Sequence, residues 1–250
     1  MLVLIALVVA LDGGAPPVVA VTVVPAPAPL REAKSILADY AKAIGDEQAW
    51  KKHKSIRLKR EVSVKSMHFV SHEETRVERG GKVFTTSEMP GMGTFKRGSD
   101  GRKAWAEDPI GGLRVLTGAE AEDVRIAATW NSEWRLDKVY AKVSTVPPPS
   151  DVPPGQTWEC VELSKAKGKP STLCFDGTTH LRVWERGVQA SQGGDVPYVT
   201  RFSDWRVVDG VRVWYQEDVA VGPVNMEGHM VEIVFDEPTP TNLFGLPKKK

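Results

Sequence analysis

The stretch GSDGRKAWAEDP, residues 98–109, gathers a serine, three acidic residues, two basic residues and a tryptophan. Carboxylates that converge on one substrate can serve as general acid and base. Glu107 and Asp108 are adjacent, however, and adjacent residues of a strand point to opposite faces of a sheet. The Asp-Gly pair at 100–101 is typical of a two-residue hairpin turn in which both residues adopt a positive φ. The sequence therefore predicts a hairpin here, with Trp105 on one face of the sheet, and not a catalytic pair.

Other combinations of polar residues are weak candidates for chemistry. His68, His72 and Glu74 would share one face of a strand, but positions i and i+4 of a strand lie about 13 Å apart, too far for one metal ion. The acidic pair at 122–123 falls in the first turns of a predicted helix, where negative charge complements the helix dipole. No nucleophile elbow, Walker A loop, HExxH or CxxC motif occurs in the chain. We expect no metal, no cofactor and no catalytic residue.

Two cysteines flank the turn-forming segment KAKGKP. A hairpin centred on Lys167 pairs Ser164 with Pro170, and the same register places Cys160 opposite Cys174. A cross-strand disulfide fits this spacing if the two residues form a non-hydrogen-bonded pair. The alternative is two free thiols in a different register.

The N-terminus indicates export. Residues 2–11 are continuously apolar, too short to span a bilayer but suited to a signal peptide, with a small-residue cleavage site after Ala20. We expect a signal peptide at 1–20 and a Pro/Ala-rich linker at 21–29. The absence of Lys or Arg before the apolar run leaves a misread start or an uncleaved anchor open. The predicted location is the periplasm, with a mature chain that is soluble and does not span the membrane.

The charge balance argues against nucleic-acid binding, because 33 basic and 32 acidic residues give a formal charge of +1. Three lysines at 248–250 form a basic tail.

The hydrophobic periodicity predicts one helix followed by many strands. Apolar residues from Leu30 to Ile44 recur at helical spacing, and Asp46 caps a second short helical piece. From Ser55 the period becomes two, and turn signals divide the chain into about eleven strands. One helix interrupts them, opening with Thr117 and Glu120 three residues later, as in a capping box.

The Pro-rich stretch at 146–155 could separate two domains, but the first half alone would be an open sheet with bare edges. We therefore expect a mainly β (α+β) fold, in which a single curved antiparallel sheet is covered on its concave side by helices.

Four segments in this order resemble LolA-like outer-membrane lipoprotein-sorting proteins, in a divergent bacterial branch: YAKAIGDEQAWKKHKSIRLKREVSV, TTSEMPGMGTFKRGSDGRKAWAEDP, LTGAEAEDVR and RFSDWRVVDGVRVWY with the closing VEIVFDEPTPTNLFGLP. The resemblance covers residues 30–247. It implies an unclosed half-barrel of about eleven strands with helices as a lid over an apolar cavity. Family members of known function shelter the acyl chains of lipoproteins in the periplasm. The resemblance also implies an inner-membrane donor and an outer-membrane acceptor as partners.

Large, soft apolar residues are candidates for the wall of such a cavity, because methionine and aromatic side chains accommodate flexible ligands. The alternative is that they form the core between helices and sheet. The candidates are Met89, Met92, Trp105, Trp130, Trp134, Phe202, Tyr215, Met226 and Met230.

Three functions follow from these observations. The first is a monomeric, soluble periplasmic carrier that sequesters a lipid or the acyl chains of a lipoprotein. The second is an envelope structural or regulatory module that binds a protein and fills its cavity with its own side chains. The third is a cofactor-free enzyme, which the fold itself does not exclude. An enzyme predicts a convergent pair of titratable groups inside the cavity, and the sequence does not show one.

Overall fold

A single antiparallel sheet of thirteen strands runs through the computed structural model, which describes residues 29–45, 47–191, 193–240 and 242–247. The strands are β1 (Ser55–Val64), β2 (Phe69–Glu78), β3 (Lys82–Met89), β4 (Gly93–Asp100), β5 (Ala104–Asp108), β6 (Gly112–Val115), β7 (Lys142–Val146), β8 (Trp158–Ser164), β9 (Ser171–Asp176), β10 (Arg182–Gln189), β11 (Val196–Val208), β12 (Val211–Val221) and β13 (Val224–Phe235). The helices are α1 (Ala33–Ala43), α2 (Glu47–Lys52), α3 (Gly118–Ala127) and α4 (Leu136–Val139).

Two meanders make up the sheet. Strands β1 to β6 follow one another on one side, β7 to β13 follow one another on the other, and the pairing of β1 with β13 joins the two. The outermost strands are β6 and β7, so the sheet is not closed. This confirms the expected mainly β, unclosed half-barrel.

The sheet has thirteen strands where the sequence predicted about eleven. The sequence prediction placed the Pro-rich stretch directly after the helical insertion and included no strand between them, where β7 lies. In the structure β7 is only five residues long, and it is defined by its pairing with β8 over Lys142–Ser164 to Val146–Cys160. A short edge strand next to prolines carries too little alternation to be recognised from sequence alone.

Helix α1 covers one face of the sheet because its apolar residues recur at positions i, i+3, i+4 and i+7. Ala33, Ile36, Leu37 and Tyr40 are all buried there, within the largest core cluster of the protein. This cluster includes the inward side chains of β8 and β9, such as Val161 and Phe175.

The capping box predicted at the start of α3 is wrong. Thr117 precedes the helix but makes no side-chain cap. The Glu120 carboxylate instead accepts two hydrogen bonds from the Arg114 guanidinium, at 2.8 and 2.7 Å. A bidentate, charge-assisted pair with arginine is stronger than a bond to a backbone amide, which accounts for the exchange.

The Asp-Gly turns differ from one another. At 209–210 both residues adopt positive φ, of 50° and 85°, as expected for a two-residue hairpin. Asp100 does not, and its carboxylate instead accepts hydrogen bonds from the backbone N–H groups of Arg102 and Lys103, both at 2.8 Å. The turn after Asp100 is therefore held by a side chain, a recurrent role of aspartate in loops.

The predicted disulfide is confirmed. Cys160 and Cys174 face each other across β8 and β9, with Cα atoms 4.1 Å apart, and are bonded. They pack with Trp158 and Trp184 in a cluster separate from the main core, on the face of the sheet opposite to Val161.

Removing this disulfide should destabilise the fold. Replacing Cys160 and Cys174 by alanine is expected to lower the free energy of unfolding by about 3 kcal/mol, because the bridge closes a loop of about 15 residues in the unfolded chain. Urea denaturation followed by tryptophan fluorescence measures this loss. The unaltered protein treated with a reductant serves as the control and should match the variant. Equal stability of the oxidised and reduced proteins would contradict the prediction.

Candidate functional site

A cavity of about 250 Å³, which we call the inner cavity, lies between the sheet and the segments that cover it. We call α1 with its C-cap Ile44, α2 and residues 129–139 the lid. Aromatic and aliphatic side chains from both sides form most of the wall of the inner cavity, and the polar residues Thr129, Asn131, Ser132 and Arg212 also line it. Its main lining residues are Tyr40, Ile44, Trp50, Trp130 and Glu133 of the lid and Ile56, Leu58, Thr75, Val77, Trp205, Val213 and Trp214 of the sheet.

Aromatic contacts shape this cavity. In the lid, Trp50 and Trp130 meet edge to face, with ring centroids 6.5 Å apart. On the sheet, Trp205 and Trp214 do the same at 5.7 Å, and Tyr40 of α1 meets Trp205 at 6.4 Å. Rings in such pairs bury large apolar area at fixed geometry. The aromatic wall of the cavity therefore suits an apolar group.

A buried polar network lies beside the cavity. The guanidinium of Arg182, on β10, is 3.3 Å from the carboxylates of both Glu133 and Glu185. Tyr40 donates a hydrogen bond to Glu133 at 2.7 Å, and Tyr198 donates one to Glu185 at 2.5 Å. The network thus connects the lid, through Tyr40 and Glu133, to two strands of the sheet.

The surroundings of Arg182 keep it charged. It is only 5% exposed, and its guanidinium lies over the rings of Phe202 at 4.1 Å and Trp214 at 4.8 Å. Burial opposes the positive charge, but the neighbouring carboxylates outweigh it and raise the pKa of Arg182. Burial, and then the charge of Glu133, raise the pKa of Tyr40 well above its usual value. Tyr40 therefore stays neutral and acts as a hydrogen-bond donor.

Each carboxylate of this network is engaged by both a tyrosine and the arginine. A general acid or base needs a proton position that faces a substrate, whereas these oxygens are already hydrogen-bonded within the protein. The arrangement joins the lid to the sheet through one positive charge between two negative ones, and we call these five side chains the latch.

A larger groove, of about 920 Å³, lies on the outer side of the lid. It runs between α1, α2, residues 129–138 and the turn formed by Arg79, Gly80 and Gly81. The groove and the inner cavity share Thr129, Trp130 and Asn131. These three residues therefore form the wall between the two spaces.

The structure brings some of the nine predicted cavity residues together and separates others. Trp130 lines both the inner cavity and the outer groove, and Trp134 lines the groove. Phe202 lies beneath Arg182 and packs edge to face on Trp214, a cavity residue, at 5.3 Å. Trp130 and Trp134 thus belong to the lid, and Phe202 lies on β11 of the sheet.

The other six lie elsewhere. Trp105 occupies the face of β5 opposite to Ala104 and Ala106, which pack towards α3, and its indole N–H donates to the carbonyl of Phe244. The remaining five line no part of the inner cavity. Met89 lines a separate cleft beside α3, Met92 is exposed at a turn, Tyr215 lies beneath the exposed Arg206, Met226 lines a shallow cleft near Lys65, and Met230 is half-buried on β13.

Sequence reasoning missed the buried network altogether. Glu133 lies between two tryptophans in WNSEW, and Arg182 and Glu185 share the strand segment RVWE. Each pattern reads as an ordinary mixture of apolar and solvated residues. The one available signal was the spacing of Tyr40 in α1, which places its hydroxyl group on the buried stripe and so requires a partner.

Within the described ranges, no group of three or more His, Cys, Asp or Glu side chains could hold a metal ion. His68 and Glu74 do not act together, because His68 lies in a turn with φ of 55° and Glu74 pairs with Arg76 at 2.7 Å. No helix in the described residues is long and apolar enough to cross a membrane. The predicted signal peptide and basic tail lie outside the described residues.

Comparison with known proteins identifies the fold. No family model and no curated protein sequence matches the chain. Among solved structures, a LolA superfamily protein from Nitrosomonas europaea matches with a TM-score of 0.54 at 12% identity, over 86% of this chain and 98% of that one.

Two further structures match to the same extent. A putative outer membrane lipoprotein-sorting protein domain from Vibrio parahaemolyticus has a TM-score of 0.54 at 11% identity, covering 83% of this chain and 94% of its own. A DUF1329 family protein from Desulfovibrio piger has a TM-score of 0.54 at 11% identity, covering 85% of this chain and 97% of its own. The chain therefore has the fold of the LolA-like, outer-membrane lipoprotein-sorting structures.

Proposed function

We propose that the protein is an exported, non-enzymatic carrier that shelters an acyl chain of a lipid or lipoprotein in the inner cavity. The observation that supports this most directly is the cavity itself, a space walled by Trp50, Trp130, Trp205 and Trp214 between a helical lid and an unclosed sheet. The likeness of the fold to lipoprotein-sorting structures adds support. The disulfide is in keeping with an oxidising compartment such as the periplasm.

The binding energy would come from transfer of hydrocarbon out of water. Each methylene buried contributes about 0.8 kcal/mol, so even a short stretch of chain offsets part of the cost of ordering it. Cargo release then requires movement of the lid or an acceptor with a more apolar site. Neither binding nor release of the cargo needs a cofactor, a metal or hydrolysis.

The alternative that the protein is an enzyme expects a convergent pair of titratable groups in the cavity. A convergent pair of carboxylates, Glu133 and Glu185, does exist, but both share the single cation Arg182, and each accepts a hydrogen bond from a tyrosine. This arrangement favours the carrier.

The first experiment is a chemical analysis of what the protein carries. Protein purified from a native host without detergent is extracted with organic solvent, and the extract is analysed by mass spectrometry. The carrier proposal expects a lipid or acylated species in about stoichiometric amount, which is absent from an unrelated exported protein prepared in parallel. An empty extract, together with no binding of a fluorescent fatty-acid probe, would overturn it.

A cavity-filling substitution tests where the acyl chain binds. Val77 on β2 lines the inner cavity, whereas Val70 on the same strand is 41% exposed. Val77→Phe should weaken binding of a fluorescent fatty acid by about tenfold or more, because the added ring displaces at least two methylenes of ligand. Val70→Phe makes the same change outside the cavity and should leave affinity unchanged. Equal affinities of the two variants, both folded by circular dichroism, would place the acyl chain elsewhere.

A further inference from the structure

The outer groove of the lid carries a concentration of positive charge. Among the described residues, six basic side chains line it: Lys34, Lys42, Lys51, Arg79, Arg135 and Lys138. Two described acidic side chains, Glu47 and Asp137, accompany them. These eight side chains sum to a formal charge of +4, whereas the whole chain has a charge of +1.

Part of this charge is not neutralised within the protein. Lys51 pairs with Glu47 at 2.8 Å, Lys138 pairs with Asp137 at 3.0 Å, and Lys42 pairs at 3.6 Å with Asp39, which does not line the groove. Lys34 and Arg135 have no carboxylate partner in the part of the chain that the structure describes, and they come from opposite walls of the groove, α1 and the segment after Trp134.

Arg79 is held in place by the chain rather than by an acid. Its guanidinium donates hydrogen bonds to the backbone carbonyls of Lys51 at 2.7 Å and His53 at 2.8 Å. Because carbonyls orient the group without removing its charge, Arg79 presents a fixed cation at the end of the groove formed by Gly80 and Gly81.

The floor of the same groove is apolar. Leu37, Ala38 and Ala41 of α1 face Trp130, Trp134 and Leu136 across it. A ligand that matches both parts must have an anionic head and a hydrocarbon body. A nucleic acid or an inorganic ion would leave the floor unused, and a neutral hydrocarbon would leave the cations unused.

We propose that this groove binds one molecule of an anionic phospholipid, with its phosphate head between Lys34, Arg79 and Arg135 and its hydrocarbon on the floor against Trp130. This inference rests on the proposed carrier function and adds the ligand class to it. The wall shared by groove and cavity, at residues 129–131, gives the acyl chain a short route inward when the lid moves. The size of the groove, about 920 Å³, is at the upper end of the range for small-molecule sites, whereas the inner cavity alone lies just below that range.

The test compares two soluble lipids that differ in head-group charge. Dihexanoyl phosphatidylglycerol and dihexanoyl phosphatidylcholine are titrated, below the concentrations at which they form micelles, into the full protein, and tryptophan fluorescence reports binding. We expect the anionic lipid to bind about tenfold or more tightly at low salt, with the difference shrinking as salt is raised. In the double variant Lys34→Glu with Arg135→Glu, this preference should disappear.

A second double variant controls for the change in net charge. Lys103 and Lys142 are exposed and lie outside the groove, so Lys103→Glu with Lys142→Glu alters the total charge equally and should keep the preference. Thermal unfolding verifies that both double variants are folded.

Each outcome decides a different proposal. Equal binding of the two lipids, or an equal loss of preference in both double variants, overturns the anionic site. Binding of the fluorescent fatty-acid probe that Val77→Phe weakens leaves the carrier proposal standing. The protein is also mixed with phosphatidylglycerol vesicles. Binding to the vesicles without binding to the short-chain lipid overturns the anionic site too, because the groove would then contact a membrane surface and not a single lipid. Failure to bind any of these probes overturns both proposals.

Discussion

Replacing Arg182 with methionine is expected to lower the free energy of unfolding by about 4 kcal/mol at neutral pH. The guanidinium lies between Glu133 and Glu185, and it is the shared cation of the buried network. Methionine has a similar length and packs against Phe202 and Trp214, so little apolar contact is lost. The loss comes instead from removing the one cation that lies between two partly buried carboxylates.

The measurement is equilibrium denaturation in urea, with tryptophan fluorescence as the probe of unfolding. Neutralising the carboxylates separates charge from packing: the triple variant Arg182→Met, Glu133→Gln, Glu185→Gln should recover most of the lost stability. An Arg182→Met protein less than about 1 kcal/mol below the parent would show that the network contributes little. A triple variant as unstable as Arg182→Met would show that packing, not charge, is responsible.

Breaking the latch should also change the rates of ligand binding and release. Glu133 and Tyr40 belong to the lid and Arg182 to the sheet, so breaking the latch frees the segment that separates inner cavity from outer groove. A variant that retains its fold should therefore bind and release the fatty-acid probe faster. The contrast with Val77→Phe is sharp, because that change fills the cavity and leaves the latch intact.

The overall fold could be predicted from the sequence because its signals are local. The alternation in β1, the turn residues between strands and the spacing of the two cysteines each depend on neighbouring residues. The disulfide followed from one assumed hairpin register, and the pairing of Cys160 with Cys174 has that register. The strand β7, by contrast, is defined by a partner later in the chain.

The positions of the site residues could not be predicted in the same way, because they depend on which face each side chain takes. Phe202 and Trp205 are three positions apart and should point to opposite faces of a regular strand. Both nevertheless contact Trp214. Asp204, between them, has a φ of 53°, and this left-handed residue interrupts the alternation. A pattern of residue types does not reveal such an interruption.

Trp105 shows the opposite case. The alternation of Ala104, Trp105 and Ala106 is regular, but the sequence does not show on which face of the sheet Trp105 lies. The small alanines face α3, and the tryptophan lies on the other side, where Gly98 leaves room for its indole and Phe244 accepts its N–H. The choice is made by the C-terminal segment, about 140 residues along the chain, which no local pattern contains.

The Gly101→Val variant is expected to lose about 4 kcal/mol of stability, for two reasons that add. Gly101 has a φ of 89°, where a β-branched residue is strained. A Cβ at this position would also lie 2.2 Å from the carbonyl oxygen of Gly80, so the backbone of one of the two turns must move. Displacement of packed backbone typically costs a further 1–3 kcal/mol.

A matched glycine separates these two contributions. Gly91 has a φ of 77°, and a Cβ there would meet nothing within 4 Å. Gly91→Val should therefore show the conformational strain alone, and the difference between the two variants measures the contact with Gly80 by urea denaturation. Equal losses in the two variants would mean that the turns separate without cost. Because Gly80 and Gly81 form the end of the outer groove, a folded Gly101→Val protein should also bind phosphatidylglycerol more weakly, whereas Gly91→Val should not.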